Sequence, residues 1–205
     1  MKNKFIIVSF YAGKYYEKVM NEYLLPSIQK LKLPFYIEKI DNLGNWRKNA
    51  NQKLLFIKKC LEKFSDKNIV FIDADAKINN YPELFDNIPK EYLIGIHYLD
   101  WDKWYKNGNK IKELLTGTIY LKNCEETKEL INNWIKETRE NKPQQKTLQK
   151  LIEIEDLNIY KLPLEYCYIV NLPNGQEPHI KIENPIISHY QISRKIKRNK
   201  RLLNI

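Results

Sequence analysis

The stretch Asn68-Ile69-Val70-Phe71-Ile72-Asp73-Ala74-Asp75-Ala76-Lys77-Ile78 constrains the chain more than any other. Its first half is a short apolar run of β-branched and aromatic residues, the pattern of a strand buried on both faces in the middle of a mainly parallel sheet. Two carboxylates follow where that run stops. If the backbone stays extended, side chains at i and i+2 share a side, and Asp73 and Asp75 converge on one point at the strand's end. Two acids so placed repel one another unless a positive charge sits between them. A hard divalent cation, which takes oxygen ligands and keeps room for water or phosphate oxygens, suits that position; the alternative is an ordinary loop in which both acids are solvated.

A chain of 205 residues is long enough to bury a real core and suits one domain spanning 1–205. We see no internal repeat, low-complexity tract or linker-like composition. The segment Met1 to Gly13 lacks a small-residue cleavage site and is too short to span a bilayer, so the expectation is a soluble, cytoplasmic protein. Cys60, Cys124 and Cys167 form neither a metal-ligand spacing nor an even disulfide set, which points to reduced thiols. The formal charge of +10 calls for an anionic substrate or a polyanionic partner. Much of it comes from the tail Ser193-Arg-Lys-Ile-Lys-Arg-Asn-Lys-Arg201, within a C-terminal tail of about 193–205, which could meet DNA, an acidic membrane surface or nucleotide phosphates.

The chain opens with a strand, Lys4 to Ala12, that breaks at Ala12-Gly13. A helix follows, with Tyr16, Val19, Met20, Tyr23, Leu24, Ile28 and Leu31 on one face, kinked or split by Pro26. Pro34 stops it, and Phe35 to Ile40 forms a second strand, completing a βαβ unit. Ligands of such sheets gather beyond the carboxyl ends of the strands, which places Ser9, Phe10, Tyr11 and Ala12 beside a pocket. The polar loop at Gly44 turns into a helix buried through Leu54, Ile57, Leu61 and Phe64. Trp46, Arg47 and Lys53 stand near its start, where the helix dipole favours an anion.

Beyond the acids, Tyr92 to Tyr98 is a strand, with His97 a packing residue. The polar and aromatic segment Leu99 to Lys112, with Asp100, Trp101, Asp102 and Trp104, is either a loop covering a ligand or a loop anchored by its own tryptophans. Leu115 to Lys122 is a strand in which Gly117 would let a ligand approach the backbone. Helices follow over Glu125 to Glu140 and from Gln144, then short strands at Leu157 to Pro163 and Tyr166 to Val170. The segment Asn184-Pro-Ile-Ile-Ser-His189 repeats the design of the organising stretch, an apolar run ending in a residue able to ligate metal.

In this order the pieces resemble the GT-A glycosyltransferases, enzymes that use nucleoside diphosphate sugars. The likeness covers nearly the whole chain: Tyr11 on the first strand, Lys53 on its helix, Phe71-Ile-Asp-Ala-Asp75, Thr116-Gly-Thr-Ile-Tyr120, Gln144-Gln145, Leu162-Pro163 and Pro185-Ile-Ile-Ser-His189. The chain looks closest to the retaining, galactosyltransferase-like branch. The resemblance implies an α/β, Rossmann-like GT-A domain with a mainly parallel mixed sheet flanked by helices. It implies Mn²⁺ (or Mg²⁺) held by Asp73, Asp75 and His189, with Asp73 reaching metal or ribose and Tyr11 stacking on a base. It also implies a UDP-sugar donor, and Arg194 or Lys195 on the diphosphate; Arg47, at the start of its helix, is read separately as adding positive charge where the leaving group departs.

Two departures stand out. The branch has Asp-Gln where this chain has Gln144-Gln145, and its Lys-Pro-Trp-like ending is replaced by Ser193-Arg194-Lys195. An inverting reaction would need a protein base, and Asp100, Asp102 and Glu165 are the candidates by order along the chain. A retaining one could use the leaving phosphate. The expected activity is transfer to a hydroxyl acceptor on a glycan. The alternatives are a phage-type DNA glycosyltransferase acting on a hydroxymethylated base, which the basic tail would suit, and a non-catalytic nucleotide- or nucleic-acid-binding module.

Overall fold

The computed structural model describes residues 4–106, 108–138, 142–172 and 177–192. Strand β1 (Phe5–Ala12) leads into helices α1 (Gly13–Glu22) and α2 (Leu24–Lys30). The split falls at Tyr23, and Pro26 lies in the first turn of α2, where its missing N–H has no helical carbonyl to serve. Next come β2 (Phe35–Ile40), α3 (Trp46–Lys63) and β3 (Asn68–Ile72). Helix α3 starts where the Asn45 side chain accepts from the Arg47 and Lys48 amides, a cap for two otherwise orphan donors.

After β3 the chain forms β4 (Ala76–Ile78), α4 (Leu84–Asn87), β5 (Ile94–Asp100), α5 (Trp101–Tyr105) and β6 (Lys112–Leu121). Helices α6 (Glu125–Glu137) and α7 (Gln144–Ile154) follow, then β7 (Ile159–Lys161), β8 (Tyr168–Ile169) and β9 (Ile187–His189). Glu125 and Glu126 complement the dipole at the start of α6.

Six strands make one sheet in the order β2-β1-β3-β6-β5-β7. All run parallel except β6, which is antiparallel to both of its neighbours. Strand β3 lies near the centre, flanked by β1 and β6, and its Ile69 to Ile72 are fully buried, as the apolar run requires. One face packs on α3, α6 and α7 through Leu54, Ile57, Leu61, Leu130, Trp134 and Leu148. The other face buries Met20, Leu24, Ile28, Phe85 and Tyr166. Strands β4, β9 and β8 form a separate three-stranded sheet, so the chain crosses from one sheet to the other between β3 and β4. Among the described residues no helix is long and apolar enough to cross a membrane. All three cysteines are free thiols.

One local expectation changes and one open choice is decided. The acids do not continue the strand: β3 ends at Ile72, and the Ala76 amide bonds back to the Asp73 carbonyl at 3.0 Å, so Asp73 to Ala76 is a tight turn. Of the two readings of the aromatic segment after β5, the structure supports the loop anchored by its own tryptophans: Trp104 is buried and α5 is pinned by that side chain.

Candidate functional site

The crossing between the sheets brings four segments together. Asp73 follows β3, and its amide donates to the Gly117 carbonyl on β6 at 2.8 Å. Strand β9 pairs with β4, setting His189 opposite Ala76 and thus beside the acidic turn. Helix α3 contributes Lys53, whose side chain is only 5% exposed although it carries a charge. Its Nζ donates to the Thr116 carbonyl at 2.7 Å, pairs with Asp73 Oδ1 at 2.9 Å and lies 4.5 Å from the centre of the Phe71 ring. An ammonium taken from water needs such compensation, and a carbonyl, a carboxylate and an aromatic face supply it.

Gly117 explains how close the parts can come. A Cβ on this residue would stand 2.9 Å from His189 Cε1, 3.0 Å from His189 Nδ1 and 3.5 Å from Asp73 Oδ2. The imidazole nitrogen and the carboxylate oxygen therefore flank one small space that any larger residue at 117 would fill. The other ring nitrogen, His189 Nε2, is 2.8 Å from Thr118 Oγ1. Asp73 is thus held through Oδ1 and His189 through Nε2, each with its second atom turned to the shared space.

Asp75 is held by the segment that follows His189. Its carbonyl accepts from the Tyr190 amide at 3.1 Å, and its Oδ2 accepts from the Ile192 amide at 2.8 Å. Gln191, between them, takes a left-handed φ of 49° to make this wrap. Burial pushes the Asp75 carboxyl up to about 6, with the negative charge of Asp73 adding to the rise. Burial lowers His189 to about 4, so the ring is neutral at pH 7 and able to offer a lone pair.

Two carboxylates and one neutral imidazole are donor types suited to Mn²⁺ or Mg²⁺, and Asp73 and His189 of that set border the space beside Gly117. Among the described residues, however, no three His, Cys, Asp or Glu side chains already stand grouped as a metal site. In this arrangement Lys53 occupies one oxygen of Asp73 and the Ile192 amide one oxygen of Asp75.

Other predicted positions fall elsewhere. Ser9 is wholly buried and its hydroxyl donates to the Ile72 carbonyl at 2.6 Å, so it ties β1 to β3 and does not face a ligand. Lys53 is buried against Asp73 and is not an exposed contact at the start of α3. Arg47 is exposed at that start, whose amides Asn45 has already capped. Tyr11 is half-buried at the end of β1, its hydroxyl 3.4 Å from Glu17. Asp100 caps α5 by accepting from the Lys103 amide, and Asp102 accepts from the Gly108 amide at 2.8 Å, so each carboxylate helps fix the α5 turn through its Oδ1. Glu165 is exposed on a short 3-10 turn.

Gln144 is buried, with a side-chain oxygen that has no hydrogen-bond partner among the described residues. Gln145 donates to Glu113 Oε1 at 2.7 Å, while Glu113 Oε2 accepts from the Trp101 indole. Sequence reasoning passed over Glu113, a lone acid at the start of β6, and Thr118, which looked like an ordinary strand threonine. A threonine on each side of a strand glycine, Thr116-Gly117-Thr118, is the signal that could have singled out the latter. Arg194 and Lys195, with the rest of the basic tail, lie outside the described residues.

No protein-family model matches the sequence, and no curated protein does. Solved structures do. A glycosyltransferase involved in glycosylation of the major capsid of PBCV-1 superposes with a TM-score of 0.68 at 14% identity, covering 95% of this chain and 97% of that one. GlyE of Streptococcus pneumoniae TIGR4 gives 0.60 at 12% identity over 91% of this chain, which spans 55% of GlyE. The galactosyltransferase LgtC, solved with donor and acceptor sugar analogues, gives 0.52 at 10% identity, covering 91% of this chain and 87% of that one. With its central mixed sheet, reversed β6 and flanking helices, this chain has the fold of the GT-A-type glycosyltransferases.

Proposed function

We propose that this protein is a metal-dependent glycosyltransferase that moves a sugar from a nucleoside diphosphate sugar, UDP-sugar first among them, to a hydroxyl group of a glycan acceptor. The observation that carries this reading is the convergence of Asp73 Oδ2 and His189 Nδ1 on the space beside Gly117, at the point where the chain leaves the central sheet. Asp73, Asp75 and His189 would hold Mn²⁺ or Mg²⁺. Such an ion, when bound, neutralises charge that builds on a departing diphosphate.

The chain's own residues have distinct parts. Lys53 keeps Asp73 oriented and partly neutralises it. The wrap from Tyr190 to Ile192 fixes Asp75. Asp100 and Asp102 each accept from an amide of the α5 turn through one oxygen; we favour deprotonation of the acceptor by the leaving phosphate, with retention of anomeric configuration, over a protein base, for which Glu165 is the other candidate. Arg194 and Lys195 follow directly on the Asp75 wrap in sequence and are proposed to meet the diphosphate.

The test is a panel of sugar nucleotides with and without Mn²⁺, read by thermal shift and by release of nucleoside diphosphate. Stabilisation by one donor only when Mn²⁺ is present supports the reading. A donor response that ignores Mn²⁺, or no response to any donor, removes it.

A further inference from the structure

Strand β6 runs past the end of β3, whose last residue, Ile72, lies opposite Thr118. Along that overhang side chains stand where a strand would. Lys53 Nζ donates to the Thr116 carbonyl at 2.7 Å. Two residues earlier, Gln149 of α7 accepts from the Leu114 amide at 3.2 Å, and it donates to the Lys112 carbonyl at 3.4 Å. Two strand residues rise about 7 Å, so α7 lies along the same edge as the Lys53–Asp73 pair. Gln145 is one helical turn before Gln149 and shares its side of α7.

Glu113 decides which end of the Gln145 amide is free. Its Oε1 accepts from Gln145 Nε2 at 2.7 Å and its Oε2 accepts from the Trp101 indole N–H at 2.9 Å. An ionised carboxylate only accepts, so the amide can meet Glu113 in one orientation, nitrogen toward the carboxylate and oxygen away from it. Gln145 is only partly buried, and among the described residues its Oε1 has no hydrogen-bond partner. Its neighbour Gln144 holds a second acceptor, a buried Oε1 that also lacks a partner among the described residues. Two acceptors at one helix start call for a ligand that donates. The hydroxyl groups of a sugar donate; ionised phosphate oxygens do not.

We propose that Glu113 is a positioning residue that locks the Gln145 amide by its nitrogen and so offers the Gln145 oxygen to a hydroxyl group of the bound sugar. This rests on the donor reading above, since the sugar meant is the one the nucleotide carries. Trp101 is the other end of the bridge and serves architecture, tying α5 to β6.

Three variants, each checked by its melting temperature, separate positioning from architecture. Glu113→Gln leaves one acceptor for two donors and frees the Gln145 amide to turn, so kcat/KM for the donor should fall by about 10²-fold. Trp101→Phe removes only the other arm and should turn over donor at the wild-type level. The exchange Glu113→Gln with Gln145→Glu rebuilds both bridges with donor and acceptor reversed and still leaves an oxygen free at 145, so it should recover most of the loss. In ¹⁵N–¹H spectra of wild type, the Gln145 side-chain pair, assigned by its disappearance in Gln145→Met, should hold one downfield proton that Glu113→Gln loses and Trp101→Phe keeps. A wild-type pair without that proton overturns the proposal and needs no variant to fold. Full turnover by Glu113→Gln overturns it and leaves the donor reading standing, as does an equal loss in Trp101→Phe. A wild type that neither binds nor turns over any sugar nucleotide removes the donor reading and, with it, the role given to the Gln145 oxygen.

Discussion

Lys53 Nζ and Asp73 Oδ1 stand 2.9 Å apart, one side chain buried and the other 40% exposed, so the first acid of the Asp-x-Asp turn is anchored from beneath by a cation the protein brings itself. Breaking a fully buried pair typically costs about 3–5 kcal/mol; the exposure of Asp73 brings the expectation for Lys53→Met down to about 1–3 kcal/mol. Urea unfolding should show that loss, and the double variant Lys53→Met with Asp73→Asn should recover part of it. Strict additivity of the two single changes would contradict the pairing.

Asp75 gives a pH signature. Its carboxyl is raised by burial to about 6, above the 3.8 expected when unfolded. The folded protein therefore prefers the protonated form: stability from this group is fully present below pH 3.8 and is lost as pH rises through 6. Asp75→Asn removes that loss while keeping an oxygen for the Ile192 amide. Its melting temperature at pH 7.5 should exceed wild type by a few degrees, corresponding to about 1–2 kcal/mol after allowance for partial exposure, and the gap should close toward pH 4. Equal melting at pH 7.5 would count against a strained carboxylate there.

Asp100 and Asp102 separate capping from catalysis. Asn caps a helix as well as Asp does, so Asp100→Asn and Asp102→Asn should keep donor turnover within about twofold. A general base removed in this way would cost about 10²–10⁴-fold. A fall of that size in either variant would restore the carboxylate as a base.

Ser9 makes a similar contrast on β1. Because its hydroxyl is spent on the Ile72 carbonyl, Ser9→Ala should cost about 1 kcal/mol of stability and leave KM for the donor unchanged. A raised KM without a stability loss would return Ser9 to the pocket.

Much of the architecture was legible because it is written in short-range patterns. The apolar run ending at Ile72, the one-sided stripe of Leu54, Ile57 and Leu61, and the breaks at Gly13 and Pro34 are local signals, and the elements fall where those signals put them. The site was legible in its residue types and less so in its geometry. Treating Asp73 and Asp75 as one extended segment missed the turn closed by the bond from Ala76 to Asp73, because β4, which follows it, is anchored by β9, more than a hundred residues away. Burial of Lys53 was invisible for the same reason: its partners are Thr116 on β6 and Asp73 after β3. The bonds that Ser9, Asp100 and Asp102 make within the chain could not be read in advance, because a polar side chain at a strand end looks the same in sequence whether it faces a ligand or a backbone group of its own chain.

The central claim is that Asp73, Asp75 and His189 together hold a cation that binds the sugar nucleotide. Titration of Mn²⁺ by electron paramagnetic resonance, in the presence of the donor found by thermal shift, tests it most directly when wild type is set beside His189→Ala. One ion should bind wild type, with affinity falling about tenfold per pH unit below 6 as Asp75 takes its proton, and His189→Ala should bind at least about 10-fold more weakly. Equal Mn²⁺ binding by the two proteins would contradict the account.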